Sequence, residues 1–117
     1  MGVSVIGLSI DCVDAAALAR FWAQVLARPV AANPTAESAV VEGNDTTTGP
    51  RLAFHQVPES KSLKNRLHLD LISPDFEAET ERLLALGATT AHHVEQDGAR
   101  WTTFLDPEGN EFDLVAG

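Results

Sequence analysis

Histidine, carboxylate and hydroxyl side chains alternate with large apolar residues in several segments of this 117-residue chain. Successive residues of a β-strand point to opposite faces, so the alternation predicts one apolar and one polar face on each strand. The predicted polar face collects Gly7, Ser9, Asp11, His55, His68, Asp70, Trp101, Thr103, Glu111 and Asp113. Imidazoles, carboxylates and an indole on one open face are typical of a concave small-molecule site. The acidic members repel one another, which disfavours full ionisation or attracts a cation.

The strands that carry these residues belong to a pattern that occurs twice. Residues 7–14 read GLSIDCVD and residues 68–75 read HLDLISPD, so each apolar strand runs into an aspartate at the eighth position. An amphipathic helix is predicted after each aspartate, at residues 15–27 and 76–86, and a β-rich stretch follows each helix. Two β-α-β-β-β modules therefore predict an α+β fold with an approximate twofold axis.

Both helices are predicted to have an aspartate cap and an apolar stripe that faces a sheet. Asp14 precedes apolar residues with helical spacing, namely Leu18, Phe21, Trp22, Val25 and Leu26. Asp75 has the same position before the second helix, whose predicted buried stripe is Phe76, Leu83, Leu84 and Leu86. Gly87 predicts the end of this helix. Each helix should therefore cover the apolar face of a sheet and leave the polar face open.

Turn residues separate the predicted strands. Strands are expected at about residues 3–12, 39–41, 51–57, 67–72, 89–95, 100–105 and 111–115, and a loop at 44–50. Asp97-Gly98 is typical of a two-residue hairpin turn, and residues 106–109 (DPEG) have the preferences of a type I turn. His92 and His93 are adjacent in a strand, so they point to opposite faces and do not share a metal. We place His92 outside the polar face.

Length and composition predict one folded domain that spans residues 1–117. Hydrophobic residues make up 44% of the chain and charged residues 21%, as in typical globular proteins. Module one is expected at about residues 1–58 and module two at about residues 66–117. The single cysteine, Cys12, excludes an intrachain disulfide, and its apolar context predicts a buried thiol.

The charge pattern argues against nucleic-acid and membrane partners. A net charge of −9 leaves few cations for a phosphate backbone. Lys61, Lys64 and Arg66 cluster in one loop, where they either contact an anion or form a solvated connection. No apolar run reaches the roughly 18 residues of a membrane span, and the first residues lack the basic start of a secretion signal. We therefore expect a cytoplasmic protein.

Several segments together resemble a known superfamily. They are Asp14 with Phe21-Trp22, the tripeptide His68-Leu69-Asp70, and residues 106–114, which read DPEGNEFDL. The pattern is similar to that of the vicinal oxygen chelate superfamily, which includes glyoxalase I, bleomycin-resistance proteins and extradiol dioxygenases. Residues 57–70 (VPESKSLKNRLHLD) resemble in particular the small glyoxalase-like domain proteins.

The resemblance implies a fold and a set of metal ligands. The expected fold joins the two modules in a cupped, eight-stranded half-barrel sheet with two main helices packed on the outside. Metal-using members take ligands from the first and last strands of each module, and the matching positions here are Gly7, His55, His68 and Asp113. Glycine leaves one position vacant, and Asp113 is one methylene shorter than the family's usual glutamate. Two imidazoles and one carboxylate suit Fe, Mn, Ni or Zn with open positions for a substrate.

Three functions remain open at this point. The first is a small-molecule-binding protein with an acidic, aromatic-lined concave pocket that sequesters a cationic or aromatic compound, as bleomycin-resistance proteins do. The second is a metal-dependent lyase, isomerase or dioxygenase, in which Asp113 or Glu111 moves a proton. The third is a structural dimer module without a ligand. The vacant position at Gly7 and the acidic charge favour the binder.

Expected partners follow from these functions. The predicted ligand-binding residues are Ser9, Asp11, Asp70, Trp101 and Thr103, which share the polar face with the metal-ligand candidates. The open edges of a half-barrel sheet need covering, so we also expect a homodimer, whose site is built either within one chain or across two.

Overall fold

The structure of the protein, a computed structural model, describes residues 2–43 and 49–117. Its strands are, in chain order, β1 (Gly7–Cys12), β2 (Ser38–Val41), β3 (Arg51–Gln56), β4 (Asp70–Ser73), β5 (Thr89–Gln96), β6 (Ala99–Leu105) and β7 (Glu111–Ala116). Its helices are α1 (Ala15–Leu26) and α2 (Phe76–Leu86). The loop predicted at 44–50 lies largely outside the described residues. Neither described helix is long and apolar enough to cross a membrane.

The chain divides into two compact units, residues 1–60 and 61–117. Among the described residues, each unit holds one helix and one open sheet, of three strands in the first and four in the second, so the predicted α+β class with two modules is confirmed. The described residues contain the seven strands that the sequence predicted, one fewer than the family resemblance implied. In the first unit, only an isolated bridge between Val30 and Val41 stands between α1 and β2 in place of a further strand.

In the first unit, α1 packs against a sheet with the strand order β1-β3-β2. β3 is parallel to β1 and antiparallel to β2. The Asp14 carboxylate accepts a hydrogen bond from the Ala17 N–H at 3.2 Å, which confirms the predicted cap of α1. The core of this unit includes Leu18, Phe21, Trp22, Val25, Val41, Leu52 and Phe54, and Cys12 is buried as predicted.

In the second unit, α2 packs against a sheet with the strand order β4-β7-β6-β5. β4 is parallel to β7, and the other neighbours are antiparallel. The core includes Phe76, Leu83, Phe104, Phe112 and Leu114, and the rings of Phe104 and Phe112 stack with centroids 5.6 Å apart. The apolar residues of β6 and β7 thus lie on the helix side, as their alternation predicts.

One expectation for α2 is wrong, and another is confirmed only in its position. Leu84 is exposed, because the buried stripe follows Phe76 and Leu83 and the next residue lies about 100° further round the helix. Asp75 occupies the cap position, but its side chain makes no capping hydrogen bond. Its backbone (φ −117°, ψ 67°) lies away from the extended conformation that a capping residue normally adopts. The Asp75 N–H donates instead to Ser73 Oγ at 3.0 Å.

Both predicted turns of the second unit are confirmed. Asp97 and Gly98 have positive φ (53° and 81°), as a type I′ hairpin turn requires, and they join β5 to β6. The Gly109 N–H donates to the Asp106 carbonyl at 2.9 Å and closes the second turn. The buried Asp106 carboxylate also accepts from the Glu108 and Asn110 N–H groups, both at 2.9 Å. These bonds determine where β7 begins.

The first strand begins later than its alternation predicts. β1 begins at Gly7 rather than near Val3, because its partner β3 begins at Arg51, directly opposite Gly7. Residues 3–6 therefore have no described partner strand, and Val3 is exposed. An alternating pattern indicates which face a residue prefers, but a strand also needs a neighbour to pair with.

The fourth strand also begins late, at Asp70 rather than near Leu67. The side-chain amide of Asn65 donates to the Glu111 carbonyl at 3.4 Å and accepts from the Glu111 N–H at 3.3 Å. A side chain thus satisfies the backbone groups of Glu111 that a longer β4 would use. Leu67 is exposed as a result, and His68 precedes the strand instead of lying in it.

We predict different costs for truncating two adjacent leucines of α2. Leu83 is 1% exposed and Leu84 is 44% exposed. Leu83→Ala should lower the free energy of unfolding by about 3 kcal/mol, because it removes buried methyl groups and leaves a cavity. Leu84→Ala is the matched control and should cost less than about 1 kcal/mol. Urea unfolding followed by circular dichroism measures both, and equal losses would contradict this packing of α2.

Candidate functional site

A row of polar residues crosses the four-stranded sheet of the second unit. Asp113 on β7 lies directly opposite Asp70 on β4 and Thr103 on β6, and Thr103 lies opposite His92 on β5. Directly paired residues of neighbouring strands project from the same face of the sheet. The order β4-β7-β6-β5 therefore places Asp70, Asp113, Thr103 and His92 in one line, which we call the polar row.

The β4–β7 end of the polar row brings three potential metal ligands together. A ring nitrogen of His68 and carboxylate oxygens of Asp70 and Asp113 all lie within 4.8 Å of one another. His68 Nδ1 is 2.9 Å from Asp70 Oδ1. His68 and Asp70 are exposed and Asp113 is half-buried, so the group is open to solvent. One imidazole nitrogen and two carboxylates are a donor set that Mn, Fe or Zn accepts, so these residues fit a divalent cation.

Thr103 determines the orientation of one of these carboxylates. Its hydroxyl donates a hydrogen bond to Asp113 Oδ1 at 2.6 Å, and Thr103 is only 7% exposed. A buried hydroxyl that holds one carboxylate oxygen limits rotation of the group. Such supporting bonds commonly orient metal-binding side chains. Thr103, predicted as a ligand-binding residue, thus contacts Asp113 directly.

The group of three differs in one member from the set that the family resemblance implied. His68 and Asp113 are brought together, and Asp70, which was predicted as a ligand-binding residue, joins them. His55 lies in the first unit, where it is exposed and paired opposite Asp11. The roles of His55 and Asp11 therefore remain predictions.

The strand register shows that His55 and Asp113 are not equivalent positions of the two modules. Asp113 pairs with Asp70, five residues before Asp75, whereas His55 pairs with Asp11, three residues before Asp14. The expectation that His55 and Asp113 are equivalent, which rested on similar spacing along the chain, is therefore wrong by two residues. Ala53, opposite Ser9, corresponds to Asp113. Within the part of the chain that the structure describes, only the second unit holds a three-ligand group.

Gly7 occupies the position that the family resemblance assigns to a further ligand. A Cβ built on Gly7 would lie 2.9 Å from the carbonyl oxygen of Arg51 and 2.8 Å from its Cγ. Side chains do not tolerate such a distance to backbone, so the paired strand would have to shift to admit one. The backbone around this position is therefore closed to a ligand side chain.

Glu111 is held by the loop that precedes His68. Its carboxylate contacts Lys61 Nζ at 2.9 Å and Lys64 Nζ at 3.5 Å, and it accepts a hydrogen bond from the Asn65 N–H at 3.1 Å. Its side chain is 14% exposed. Burial by itself raises the pKa of Glu111, but the bonds from Lys61 and Asn65 outweigh it and lower the pKa below its usual value. Glu111 therefore does not add an uncompensated charge to the acidic face. Two members of the basic cluster thus contact an anion, and that anion is a side chain of the same protein.

The two adjacent histidines of β5 lie on opposite faces, but not as predicted. His93 lies on the helix side: its Nδ1 is 3.0 Å from Thr102 Oγ1, and its ring centroid is 6.1 Å from that of Phe76. His92 pairs opposite Thr103 and therefore lies on the polar face, so its placement outside that face is wrong. The two-residue hairpin at Asp97-Gly98 carried the missed signal, because counting back from it along both strands aligns His92 with Thr103.

Trp101 lies beside the polar row in a second, apolar row. It pairs with Val94 on β5 and Val115 on β7, and Val115 pairs with Ile72 on β4. Trp101 and both valines are half-buried, whereas Ile72 is exposed. The open face of this sheet thus offers a polar strip and an apolar strip side by side.

Comparison with models of protein families shows to which family the chain belongs. Residues 7–115 match the family model described as the glyoxalase-like domain. The chain belongs to this family. The glyoxalase-like domain places it in the vicinal oxygen chelate superfamily, as the sequence motifs predicted. No curated protein matches the chain in sequence.

Solved structures share the fold of this glyoxalase-like domain. The fosfomycin resistance protein FosX from Mesorhizobium loti is 18% identical with a TM-score of 0.74, and the match covers 100% of this chain and 94% of that one. A FosX mutant from Listeria monocytogenes, in complex with Mn(II) and 1S,2S-dihydroxypropylphosphonic acid, is 16% identical with a TM-score of 0.79 and coverages of 100% and 92%. Lactoylglutathione lyase from Agrobacterium tumefaciens is 15% identical with a TM-score of 0.68 and coverages of 97% and 93%.

We predict that the Glu111 contacts stabilise the domain above acidic pH. The carboxylate has a lowered pKa in the folded protein, so its contribution is present above the unfolded pKa of about 4.3 and is lost as the pH falls through the folded value. Glu111→Gln should cost roughly 1–2 kcal/mol of unfolding free energy at pH 7. Urea unfolding at pH 7 and at pH 3 should show this difference shrinking on acidification. Glu59→Gln, at an exposed carboxylate, is the control and should change little at either pH.

Proposed function

We propose that this glyoxalase-like domain binds a divalent cation through His68, Asp70 and Asp113 and uses it to hold an oxygen-bearing small molecule. The observation that carries the proposal is the convergence of the three ligand atoms within 4.8 Å. The hydrogen bond from the buried Thr103 hydroxyl supports it, because an oriented carboxylate loses less freedom when it binds a cation. Three protein ligands leave further positions for ligand oxygens.

The structural neighbours agree with this proposal at the level of the fold. The FosX structure from Listeria monocytogenes contains Mn(II) and a dihydroxypropylphosphonic acid, so the fold accommodates a cation and an oxygen-rich ligand. At 16% identity, the likeness carries over neither the substrate nor the reaction. The proposed cation site rests on the side chains of this chain.

The chemistry of the site is assigned to the cation and to one of the two carboxylates that the sequence suggested as proton carriers. A bound divalent cation supplies Lewis acidity to the ligand oxygens that it holds. Asp113 lies among the proposed ligands and is the better placed of the two predicted proton carriers. Glu111 is engaged by Lys61 and Lys64, and its lowered pKa makes it a poor base near neutral pH. We therefore assign Glu111 an anchoring role for the loop that leads to His68.

A second candidate function is metal-free sequestration of an aromatic or cationic compound, as in bleomycin-resistance proteins. The specific observation in its favour is the apolar row of Val94, Trp101 and Val115 beside the acidic end of the polar row. An aromatic molecule with a cationic group would contact both strips. Ser9 and Asp11 of the first unit stay predicted ligand contacts under either function. Loss of binding on treatment with a chelator separates the two candidates.

The proposed assembly is a homodimer. β1 and β4 are edge strands of their sheets, and unpaired strand edges favour association with a second chain. Sedimentation equilibrium at micromolar concentration should give the mass of two chains. The mass of one chain would contradict the proposal without affecting the proposed cation site.

We predict that His68 is required for cation binding. Isothermal titration with MnCl₂ should show about one site per chain in untagged protein. His68→Ala should weaken Mn²⁺ binding by roughly 100-fold or more, because it removes one of three ligands and ligand loss exceeds the 10- to 100-fold effect of supporting residues. His93→Ala, on the helix side, is the matched control and should leave the affinity unchanged. Equal affinity in the wild type and His68→Ala would contradict the proposed site.

We also predict that Thr103 contributes to cation affinity without being a ligand. Thr103→Val removes the hydrogen bond to Asp113 with little change in volume, and it should weaken Mn²⁺ binding roughly 10-fold. Thr102→Val is the control on the opposite face, where Thr102 contacts His93. It should alter stability but not affinity. The same loss of affinity in both variants would point to a general packing effect.

A further inference from the structure

An irregularity in β5 determines which histidine faces the polar row. Thr90 pairs opposite Phe104, and His92 pairs opposite Thr103, so two steps along β5 correspond to one step along β6. Such a β-bulge inserts one extra residue, here Ala91, and reverses the facing of every residue beyond it. Without the bulge, His92 would share the helix side with Thr90 and Phe104. Bulges commonly re-aim a side chain close to a functional site.

His92 is also available for a ligand. It is exposed, and it makes no hydrogen bond to any residue of the described ranges. His93 differs, since both its ring nitrogens are engaged, by Thr102 and by Glu95 at 3.2 Å. Two strand spacings separate His92 from Asp113, which is about 10 Å between their Cα atoms. Thr103 lies between them, with its hydroxyl committed to Asp113.

We propose that His92 is a ligand-contacting residue of this site, which donates a hydrogen bond to an oxygen at the far end of a molecule whose near end is held by the cation proposed at His68, Asp70 and Asp113. The proposal rests on the proposed function and extends it to a ligand class. That class has a chelating pair of oxygens at one end and a second oxygen acceptor about two strand spacings away, roughly 10 Å. A ring in the middle suits the neighbouring Val94 and Trp101 side chains.

The ring-nitrogen chemistry of His92 fits this role. A neutral imidazole always carries one N–H donor, whichever tautomer is present, and a protonated imidazole carries two. Hydrogen bonds from such donors to a carboxylate are stronger than those to neutral acceptors. The carboxylates at the other end of the row repel anionic groups that do not contact the cation, so a second anionic group of the ligand is better placed at the His92 end.

Two probes test the inference with Mn²⁺ at saturation. Both 3-phenyllactate and 3-(4-carboxyphenyl)lactate carry the chelating hydroxy acid, and only the second has a carboxylate across the ring. Isothermal titration should show that wild-type protein binds the carboxylated probe more tightly. His92→Ala should reduce this preference roughly 10-fold and leave the affinity for 3-phenyllactate unchanged. His92→Gln retains an N–H donor and should restore part of the preference.

His93→Ala is the matched control, because it removes the adjacent imidazole from the opposite face. It should leave the preference for the carboxylated probe intact. Wild-type protein without a preference, or equal losses for both probes in His92→Ala, would overturn the inference. A titration with MnCl₂ alone distinguishes failure of the inference from failure of the proposed function. Mn²⁺ binding that depends on His68 but no effect of His92 refutes only the inference, whereas absence of Mn²⁺ binding in the wild type refutes the proposed function and the inference together.

Discussion

The pairing of β7 with two neighbours of opposite direction is the constraint on which the candidate site depends. β4 runs parallel to β7 and supplies Asp70, and β6 runs antiparallel to it and supplies Thr103. Backbone hydrogen bonds set both registers, so the side chains of the site are brought together by the same bonds that build the sheet. A shift of one residue in either strand pairing would turn side chains of the polar row to the face on which Phe104 and Phe112 are buried. Burial of these aromatic side chains therefore also protects the arrangement of the polar ones.

Within residues 2–43 and 49–117, only one copy of the duplicated fold, the second unit, carries a group of three potential metal ligands. In the first unit, the positions that correspond to Asp70 and Asp113 are Ser9 and Ala53, which supply no carboxylate. Gly7 lies so close to the Arg51 backbone that it admits no side chain. The two copies keep the elements that build a core, namely the strand, the helix and the buried apolar stripe. They differ on the open face, where polar side chains such as that of Asp70 lie outside the apolar core.

On β7 the alternation of side chains predicted the polar face, because burial of Phe112 and Leu114 on one side forces Glu111 and Asp113 to the other. It could not predict where β4 begins, since the Asn65 side chain replaces backbone pairing with Glu111 in a way that has no periodic signature. It also misplaced His92, because a bulge interrupts the period of two that the argument assumes. The equivalence of His55 and Asp113 failed for a related reason: chain spacing counts residues, whereas the site depends on which residues pair across strands.

Because the side chain of Asp113 is short, its contribution to a cation site depends on the neighbouring side chains. An aspartate carries its carboxylate one methylene closer to the backbone than a glutamate, so by itself it would approach a cation less well. Asp70 lies directly opposite on the adjacent parallel strand, about 4.8 Å away, and is equally short. Two short carboxylates side by side, with His68 beside Asp70, converge on a common point without long flexible side chains. Such a group loses little side-chain entropy on binding, but it concentrates negative charge. Thr103 offsets part of that charge by donating to Asp113, and a bound cation would offset the rest.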